Sequence, residues 1–355
     1  MLESLAVYAG AGARRRLAAE GWKPQLFDTL VGASGGPKLL GIAGLDQFLF
    51  GDFLQRSQHP MHLIGSSIGT WRHAALAAPD PAVSLADLHH QYINQHYEED
   101  VKPTSAIIGE VCEWILDGYA DSALYAHLSN HPRFQTHVVT ARGRGLNGAK
   151  QALPRALGMG LASLSNAVHR QLLQPWFQRV VFSSHGRADL GFPFDDFDTL
   201  HVNLEPGNAR RALLASGSIP FVMPGERDIA GAPPGHYWDG GIVDYHFDFN
   251  GYHGKGLVLY PHFRDDITPG WFDKFLPWRR APGHQLDQVV LLCPSDAYLQ
   301  KLPRGKIPDR RDFPNMTHSE RVTYWQAAVD ASRVLGEEFA ALVDGPDPLA
   351  GVQSF

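Results

Sequence analysis

Short apolar runs alternate along the chain with longer segments whose apolar residues recur every three to four positions. Residues 5–9, 28–32 and 61–65 form apolar runs of strand length, and a helix-forming segment follows each of them. Further strands are predicted at 137–140, 200–204, 256–260 and 288–292. Helices are predicted at 13–20, 39–50, 70–78, 85–97, 105–116, 161–177, 209–215 and 321–343. Because strands and helices alternate, we expect an α/β fold with a mostly parallel central sheet and helices on both faces.

The length and composition are those of a globular protein. The chain has 355 residues, of which 44% are hydrophobic and 19% are charged. No repeat, low-complexity stretch or linker divides it, so we expect one domain spanning residues 1–355. The net charge of −6 argues against nucleic acid as a partner, because nucleic-acid binding needs a concentrated basic surface.

The N-terminal segment does not have the order of an export signal. Its apolar residues precede the basic run 14–16, whereas a signal peptide begins with its positive charge. No window approaches the roughly 18 uninterrupted apolar residues of a membrane-spanning helix. The two cysteines are too few for a disulfide framework. These features predict a cytoplasmic protein and leave peripheral contact with a membrane surface open.

The sequence Gly65-Ser66-Ser67-Ile68-Gly69 matches the pattern G-x-S-x-G at the end of a predicted strand. In this pattern the serine lies on a sharp strand-to-helix turn, where its oxygen projects above the sheet. Gly65 and Gly69 are required because side chains would clash in so tight a backbone. The helix that begins near Ile68 would direct backbone N–H groups towards developing negative charge. The pattern therefore predicts Ser67 as a nucleophile.

A second glycine-rich turn, Gly32-Ala33-Ser34-Gly35-Gly36, also follows a strand and also fits G-x-S-x-G. Its adjacent glycines precede Pro37 and Lys38, an arrangement that suits a loop whose bare backbone approaches an anion. We interpret it as an oxyanion hole in which the N–H groups of Gly35 and Gly36 donate. Pro37 has no N–H group and cannot donate.

A third motif, Trp238-Asp239-Gly240-Gly241, places a carboxylate before two residues that lack side chains. A loop of this kind can bring Asp239 close to another side chain. An Asp-Gly turn alone is also typical of a simple hairpin. The interpretation as a catalytic carboxylate depends on the order of all the motifs in the chain.

That order resembles the patatin-like phospholipase family. A glycine-rich loop with a basic residue, a helix at 39–50, G-x-S-x-G, the stretch 215–220 (ASGSIP) and D-G-G follow one another in this chain as in that family. The resemblance covers about residues 28–250, and residues about 255–355 form a C-terminal extension without a transferable motif. It implies a patatin-like three-layer α/β fold. It also implies that Ser67 is the nucleophile and that Asp239 is the base.

The resemblance implies a carboxylic ester hydrolase that acts on lipids, as a phospholipase A, lysophospholipase or lipid esterase. Asp239 would accept the proton of Ser67 as the serine attacks the ester carbonyl, and an acyl-enzyme would form. Gly35, Gly36 and Ile68 would hold the oxyanion, and Lys38 would add positive charge nearby. No metal or cofactor is expected. A lipid or another acyl ester is the expected binding partner.

Three alternatives remain open from the sequence. Ser34 could be the nucleophile, with the loop 10–12 as its oxyanion hole. A Ser-His-Asp triad could recruit one of the histidines that follow Asp239 in the chain. Those histidines are His246, His253, His262, His284 and His318. The fold could also serve a catalytically inactive lipid-binding protein.

Two segments could contact lipid. Residues 271–280 (WFDKFLPWRR) mix aromatic and basic side chains, as segments at a membrane interface do. Buried loop packing would account for this segment equally well. The helix predicted at 161–177 could cover an acyl-binding groove or could simply pack against the core.

Overall fold

The structure of the protein, a computed structural model, describes residues 2–98, 102–186 and 189–355. Within these ranges the chain forms one eleven-stranded sheet. Its strands are β1 (Leu5–Ala9), β2 (Phe27–Gly32), β3 (Met61–Ser66), β4 (Phe134–Gly143), β5 (Phe177–Ser183), β6 (Thr199–Asn203), β7 (Glu226–Arg227), β8 (His236–Asp239), β9 (Leu257–Pro261), β10 (Val289–Pro294) and β11 (Val352–Ser354).

The centre of the sheet is parallel. The strand order is β11-β1-β10-β9-β2-β3-β4-β5-β6, and the run from β10 to β4 is parallel throughout. β1 pairs antiparallel with β10, and β5 pairs antiparallel with β4. Leu30, Val31, Leu63 and Ile64 on the central strands are fully buried, as expected where both faces of a sheet are covered.

Helices flank this sheet. They are α1 (Ala11–Glu20), α2 (Ala43–Gly51), α3 (Ile68–Leu76), α4 (Pro81–Asn94), α5 (Ser105–Asp117), α6 (Ser122–Asn130), α7 (Ala152–Val168), α8 (Pro206–Gly217), α9 (Asp296–Lys301), α10 (Asp312–Asn315), α11 (His318–Ala331) and α12 (Arg333–Val343). The expected α/β fold with a mostly parallel central sheet is confirmed. In the described part of the chain, no helix is both long and apolar enough to cross a membrane.

The position of β8 determines where the candidate site forms. β3 pairs with the first part of β4, up to Ser66 opposite Val139. β8 pairs with the next part of the same edge, beginning with Asp239 opposite Thr140. β3 and β8 therefore lie end to end along β4. The turn after β3 and the turn after β8 meet at the junction.

The predicted helix 161–177 is wrong in its position. α7 begins nine residues earlier, at Ala152, and ends at Val168. The His169 side chain then accepts a hydrogen bond from the Gln171 N–H and begins a 3-10 turn. The predicted start of this helix was too late because the segment before residue 161 contains Gly158, and glycine is a weak helix former. Here glycine is needed, since a Cβ atom would lie 2.7 Å from Asn147 Oδ1.

Two other predicted helices are divided. Residues 39–50 form a 3-10 helix, Gly36–Ile42, followed by α2. Residues 321–343 contain parts of α11 and α12, which meet at Ser332. The Ser332 hydroxyl accepts a hydrogen bond from Gly44 N–H at 2.8 Å and donates one to Val329 O at 2.7 Å. This tertiary contact between the two helical regions is invisible to apolar periodicity.

Candidate active site

Ser67 occupies a strained turn between β3 and α3. Its backbone φ angle is 55°, in the left-handed region that non-glycine residues rarely adopt. The turn is tightly enclosed: a Cβ atom on Gly69 would lie 2.1 Å from Gly32 O, and one on Gly65 would lie 3.0 Å from Gly69 C. The glycines of the motif are therefore required by close backbone packing, as the sequence pattern predicts.

Asp239 lies beside Ser67 with no group between them. The Ser67 hydroxyl donates a hydrogen bond to Asp239 Oδ2 at 2.8 Å, and Gly241 N–H donates to Oδ1 at 2.7 Å. A Cβ atom on Gly240 would lie 2.1 Å from Val139 O, and one on Gly241 would lie 2.5 Å from Ser34 Oγ. Both glycines are thus needed for this loop to approach the Ser67 turn.

The surroundings of Asp239 favour a carboxyl group that can exchange a proton. Burial raises the pKa of Asp239 above its ordinary value. The hydrogen bonds from Ser67 and Gly241 and the charges of Arg310 and Lys274 act in the opposite direction. Because the serine proton points at the carboxylate, Asp239 is positioned as a proton acceptor.

Free backbone donors surround the same space. Gly35 and Gly36 line a cavity of about 60 Å³ together with Ser67 and Asp239. Their N–H groups, and that of Ile68 at the start of α3, find no acceptor among the described residues. The Ser67 N–H is already used, since it donates to Ser216 Oγ at 2.9 Å. Gly35 and Gly36 can therefore donate to an oxyanion at this position. The Ile68 N–H is also free and directly follows Ser67 in the chain, but Ile68 does not line the cavity.

Lys38 does not line this cavity, contrary to the expectation that it adds charge to the oxyanion hole. It lines a neighbouring cavity with Arg264, and its Nζ lies 4.2 Å from the centre of the Phe263 ring. The 3-10 turn after Gly36 directs the Lys38 side chain away from Ser67. Burial and the charge of Arg264 lower the pKa of Lys38 to about 8. A different cation, Arg310, lines the Ser67 cavity.

The alternative nucleophile Ser34 forms no hydrogen bond to a carboxylate or an imidazole among the described residues. Its hydroxyl forms a hydrogen bond with Ser66 Oγ at 2.8 Å, and Ser66 donates to Asp244 O at 2.5 Å. The loop 10–12, proposed as its oxyanion hole, follows β1, and two strands, β10 and β9, separate β1 from β2 in the sheet. The Gly12 N–H in that loop donates to Asp287 Oδ1 at 2.8 Å and is unavailable.

No histidine completes a triad among the described residues that line the cavity. His246 and His262 are buried side by side, with ring centres 4.3 Å apart. His246 Nδ1 accepts a hydrogen bond from Thr268 N–H at 3.1 Å, and Arg264 O accepts one from His262 Nδ1 at 2.7 Å. His253 is exposed near Asp189. Because Asp239 contacts Ser67 directly, there is no place for an imidazole between them.

The turn after Asp239 is fixed by buried charges that the sequence did not reveal. Arg179 donates to the Asp244 carboxylate at 2.7 and 2.9 Å, and Arg170 donates to it at 3.3 Å. All three side chains are buried. Such a network is costly to disrupt, because removing one partner leaves an uncompensated charge. It holds the D-G-G loop against the end of β3.

The remaining wall of the cavity is mostly apolar. It includes Met159, Ile219, Pro220, Phe221, Ile242 and Trp271. Tyr245 and Arg310 supply polar groups. Sequence reasoning did not select Arg310, because the surrounding segment 304–311 has the composition of a solvated charged loop. In the described residues, no group of three or more His, Cys, Asp or Glu side chains is arranged to hold a metal ion.

Neither the family models, nor the curated proteins, nor the solved structures with which the chain was compared give a match.

Proposed function

We propose that the protein is a serine acyl hydrolase of patatin-like architecture that cleaves carboxylic ester bonds of lipids. The observation that carries this proposal is the direct hydrogen bond of 2.8 Å between the Ser67 hydroxyl and Asp239. The strained turn at Ser67 and the free N–H groups of Gly35, Gly36 and Ile68 support it. No observation favours an inactive lipid-binding protein over this arrangement.

The proposed reaction has two steps. Ser67 Oγ attacks the ester carbonyl while its proton passes to Asp239, and the backbone donors hold the oxyanion. The C–O bond to the alcohol then breaks, the alcohol takes the proton from Asp239, and an acyl-Ser67 ester remains. In the second step Asp239 accepts a proton from water, whose oxygen attacks the acyl carbonyl. Ser67 leaves with the proton, and a carboxylic acid is released.

A fluorophosphonate probe should label Ser67 and no other serine. The probe phosphonylates activated serine hydroxyls, and among the serines of the cavity Ser67 alone has a carboxylate partner. Mass mapping of the labelled peptide measures this. The same preparation should hydrolyse p-nitrophenyl esters, with kcat/KM rising from acetyl to medium-length acyl chains because the wall is apolar. A labelled Ser34, or no label in a folded protein, would contradict the proposal.

An exposed apolar stripe on α7, a helix whose other face lines the cavity, supports a lipid substrate. Five residues of α7 form one stripe at helical spacing: Leu153, Leu157, Leu161, Leu164 and Val168. The opposite face of α7 packs inward through small residues and through Met159, which lines the cavity. The exposed fraction of Leu153 reaches 83%.

The segment 271–279 continues this surface. The backbone O of Asn166 accepts from Arg279 at 3.1 Å, and its side chain donates to Asp273 at 2.7 Å, so α7 and the segment are joined. Phe275 is 87% exposed and Trp278 is 71% exposed. We call α7 with Phe275 and Trp278 the apolar rim. Isolated apolar residues are common on protein surfaces, but a contiguous patch beside a cavity marks a binding surface.

The charges near the apolar rim favour an anionic lipid surface as its partner. α7 contains no aspartate or glutamate, and the only carboxylate in residues 271–280 is Asp273, which is buried. Arg155, Lys274 and Arg279 add positive charge. Basic groups beside exposed aromatic residues are attracted to anionic headgroups while the rings insert at the interface.

Trp278→Ser should weaken binding to vesicles of phosphatidylcholine with phosphatidylserine roughly ten- to hundredfold, because a ring that inserts contributes about 1.5–3 kcal/mol. Co-sedimentation measures the partition coefficient, and Phe275→Ser should act similarly. Trp114→Ser is the matched control, since Trp114 is 48% exposed but lies on α5. Unchanged binding in both rim variants, or a change in oligomeric state by size exclusion, would contradict a lipid partner.

A further inference from the structure

Arg310 is a cation at the cavity that has no acceptor among the residues the structure describes. It lines the wall with Ser67 and Asp239, and its Cγ lies 3.7 Å from the position that a Cβ atom on Gly36 would occupy. Among the described residues, its guanidinium forms no hydrogen bond and no ion pair. The neighbouring carboxylate of Asp309 is already paired with Lys306 at 3.0 Å. Arg310 is exposed, so its five N–H donors are accessible to a ligand that enters the cavity.

Lys274 is a second cation at the same place. Its Nζ lies 3.7 Å from the centre of the Tyr245 ring and 5.8 Å from that of Trp271, and both rings line the cavity. It also forms no hydrogen bond or ion pair in the described part of the chain. Burial lowers the pKa of Lys274 to about 7, and the charge of Arg310 contributes to the shift. Asp239 is the carboxylate that faces these two cations, and no ion pair joins it to either of them among the described residues.

An anionic group of a ligand would provide a hydrogen-bond acceptor for both Arg310 and Lys274. Oxyanions accept charge-assisted hydrogen bonds from Arg, often in a bidentate arrangement, and a half-buried ammonium group strengthens the attraction. Asp239 accepts hydrogen bonds from Ser67 and Gly241, and it forms none with Arg310 or Lys274 in the described part of the chain. An anion bound by both side chains would therefore belong to a ligand.

We propose that Arg310 and Lys274 form an oxyanion-binding subsite for the substrate, so that the enzyme selects acyl esters whose alcohol portion carries a phosphate or carboxylate group. The inference rests on the proposed hydrolase function and names its substrate class. In this arrangement the acyl chain contacts the apolar wall, and the charged group of the alcohol binds Arg310 and Lys274. The subsite contributes to binding and to selection, and it does not take part in proton transfer.

The test compares kcat/KM for three esters of one acyl chain length: a neutral ester, an ester with a phosphodiester group and an ester with a carboxylate group. Arg310→Gln should lower the ratio of charged to neutral ester about tenfold, the loss expected for one charge-assisted hydrogen bond. Any effect of Arg310 on Asp239 alters the hydrolysis of charged and neutral esters equally, so it cancels in the ratio. Arg311→Gln is the matched control, because Arg311 is the adjacent arginine and does not line the cavity.

Lys274→Met should lower the same ratio, and the ratio in the unmodified enzyme should fall as pH rises through about 7, where Lys274 loses its proton. The charged groups that face Lys274 are Arg310, Lys38, Arg264 and Asp239. If the variants lower the ratio for both charged esters, the subsite binds oxyanions in general. If they lower the ratio for only one ester, the subsite selects the charged group of that ester. An unchanged ratio in a folded Arg310→Gln protein overturns the proposal.

Binding of inorganic phosphate separates failure of the subsite from failure of the proposed function. At constant ionic strength, millimolar phosphate should raise the unfolding temperature of the unmodified protein and of Arg311→Gln, but not of Arg310→Gln. If none of the esters is hydrolysed and this pattern is still seen, the hydrolase proposal fails while the anion site stands. If the esters are hydrolysed and phosphate protects Arg310→Gln equally, the subsite fails alone.

Discussion

Ser67→Ala should reduce ester hydrolysis to background, a loss on the order of 10⁶-fold in kcat, as found when a serine nucleophile is removed elsewhere. The substitution deletes one oxygen and leaves the donors of Gly35 and Gly36 unchanged. Alanine experiences the same backbone strain at φ 55° as serine does, so the turn should persist. Hydrolysis of p-nitrophenyl butyrate and loss of fluorophosphonate labelling measure the effect. An unchanged unfolding temperature verifies the fold.

Ser34→Ala is the matched control for this experiment. Ser34 lines the same cavity, but its hydroxyl bonds to Ser66 and not to a carboxylate. We expect a far smaller loss of activity and a loss of stability of about 1 kcal/mol, the usual contribution of one hydrogen bond. If Ser34→Ala abolished turnover and Ser67→Ala did not, the assignment of the nucleophile would be wrong by one strand–helix unit.

The sheet and its first two turns could be predicted because their signals are local. All seven predicted strands are present, as β1, β2, β3, β4, β6, β9 and β10. The glycines were informative for a physical reason. Gly69 and Gly240 lie where a Cβ atom would be 2.1 Å from a carbonyl oxygen, so their positions reveal the close approach itself. Short apolar strands followed by such glycines carry most of the information about this half of the site.

The contact between Ser67 and Asp239 could not be predicted from local sequence patterns alone. The two residues are 172 positions apart, and they meet because β3 and β8 share one edge of β4. β8 has only four residues and was not predicted. The order of motifs in a known family supplied this proximity. The spacing of apolar residues along the chain does not predict that Ser67 and Asp239 are close.

The charged groups around the site could not be predicted because their partners are distant in sequence. Lys38 follows the glycine loop directly, yet the 3-10 turn directs it into another cavity. Arg310 reaches the Ser67 cavity from the C-terminal extension. Residues of that extension also form β9 and β10, which lie inside the sheet between β1 and β2. The segment without a motif therefore contributes both core strands and a wall of the site.

Asp239→Asn should lower kcat/KM about 10²–10⁴-fold without loss of folding, since the amide keeps the shape of the side chain but cannot take the serine proton. Asn Oδ1 can still accept from Gly241 N–H, and its amide can donate to Ser67. Burial raises the pKa of Asp239, so ionisation is less favourable in the folded state than in the unfolded chain. Removing the ionisable group should therefore preserve or raise stability at neutral pH.

The pH profile separates a base from a merely structural carboxylate. Asp239 accepts protons only above its folded pKa, which burial raises above the ordinary value of an aspartate. In the unmodified enzyme, kcat/KM for a neutral ester should accordingly fall on the acid side at a pH higher than an ordinary aspartate would give. In Asp239→Asn this acid limb should vanish from the residual activity. A folded Asp239→Asn protein with near-normal turnover, or with the acid limb intact, would show that another group takes the proton of Ser67.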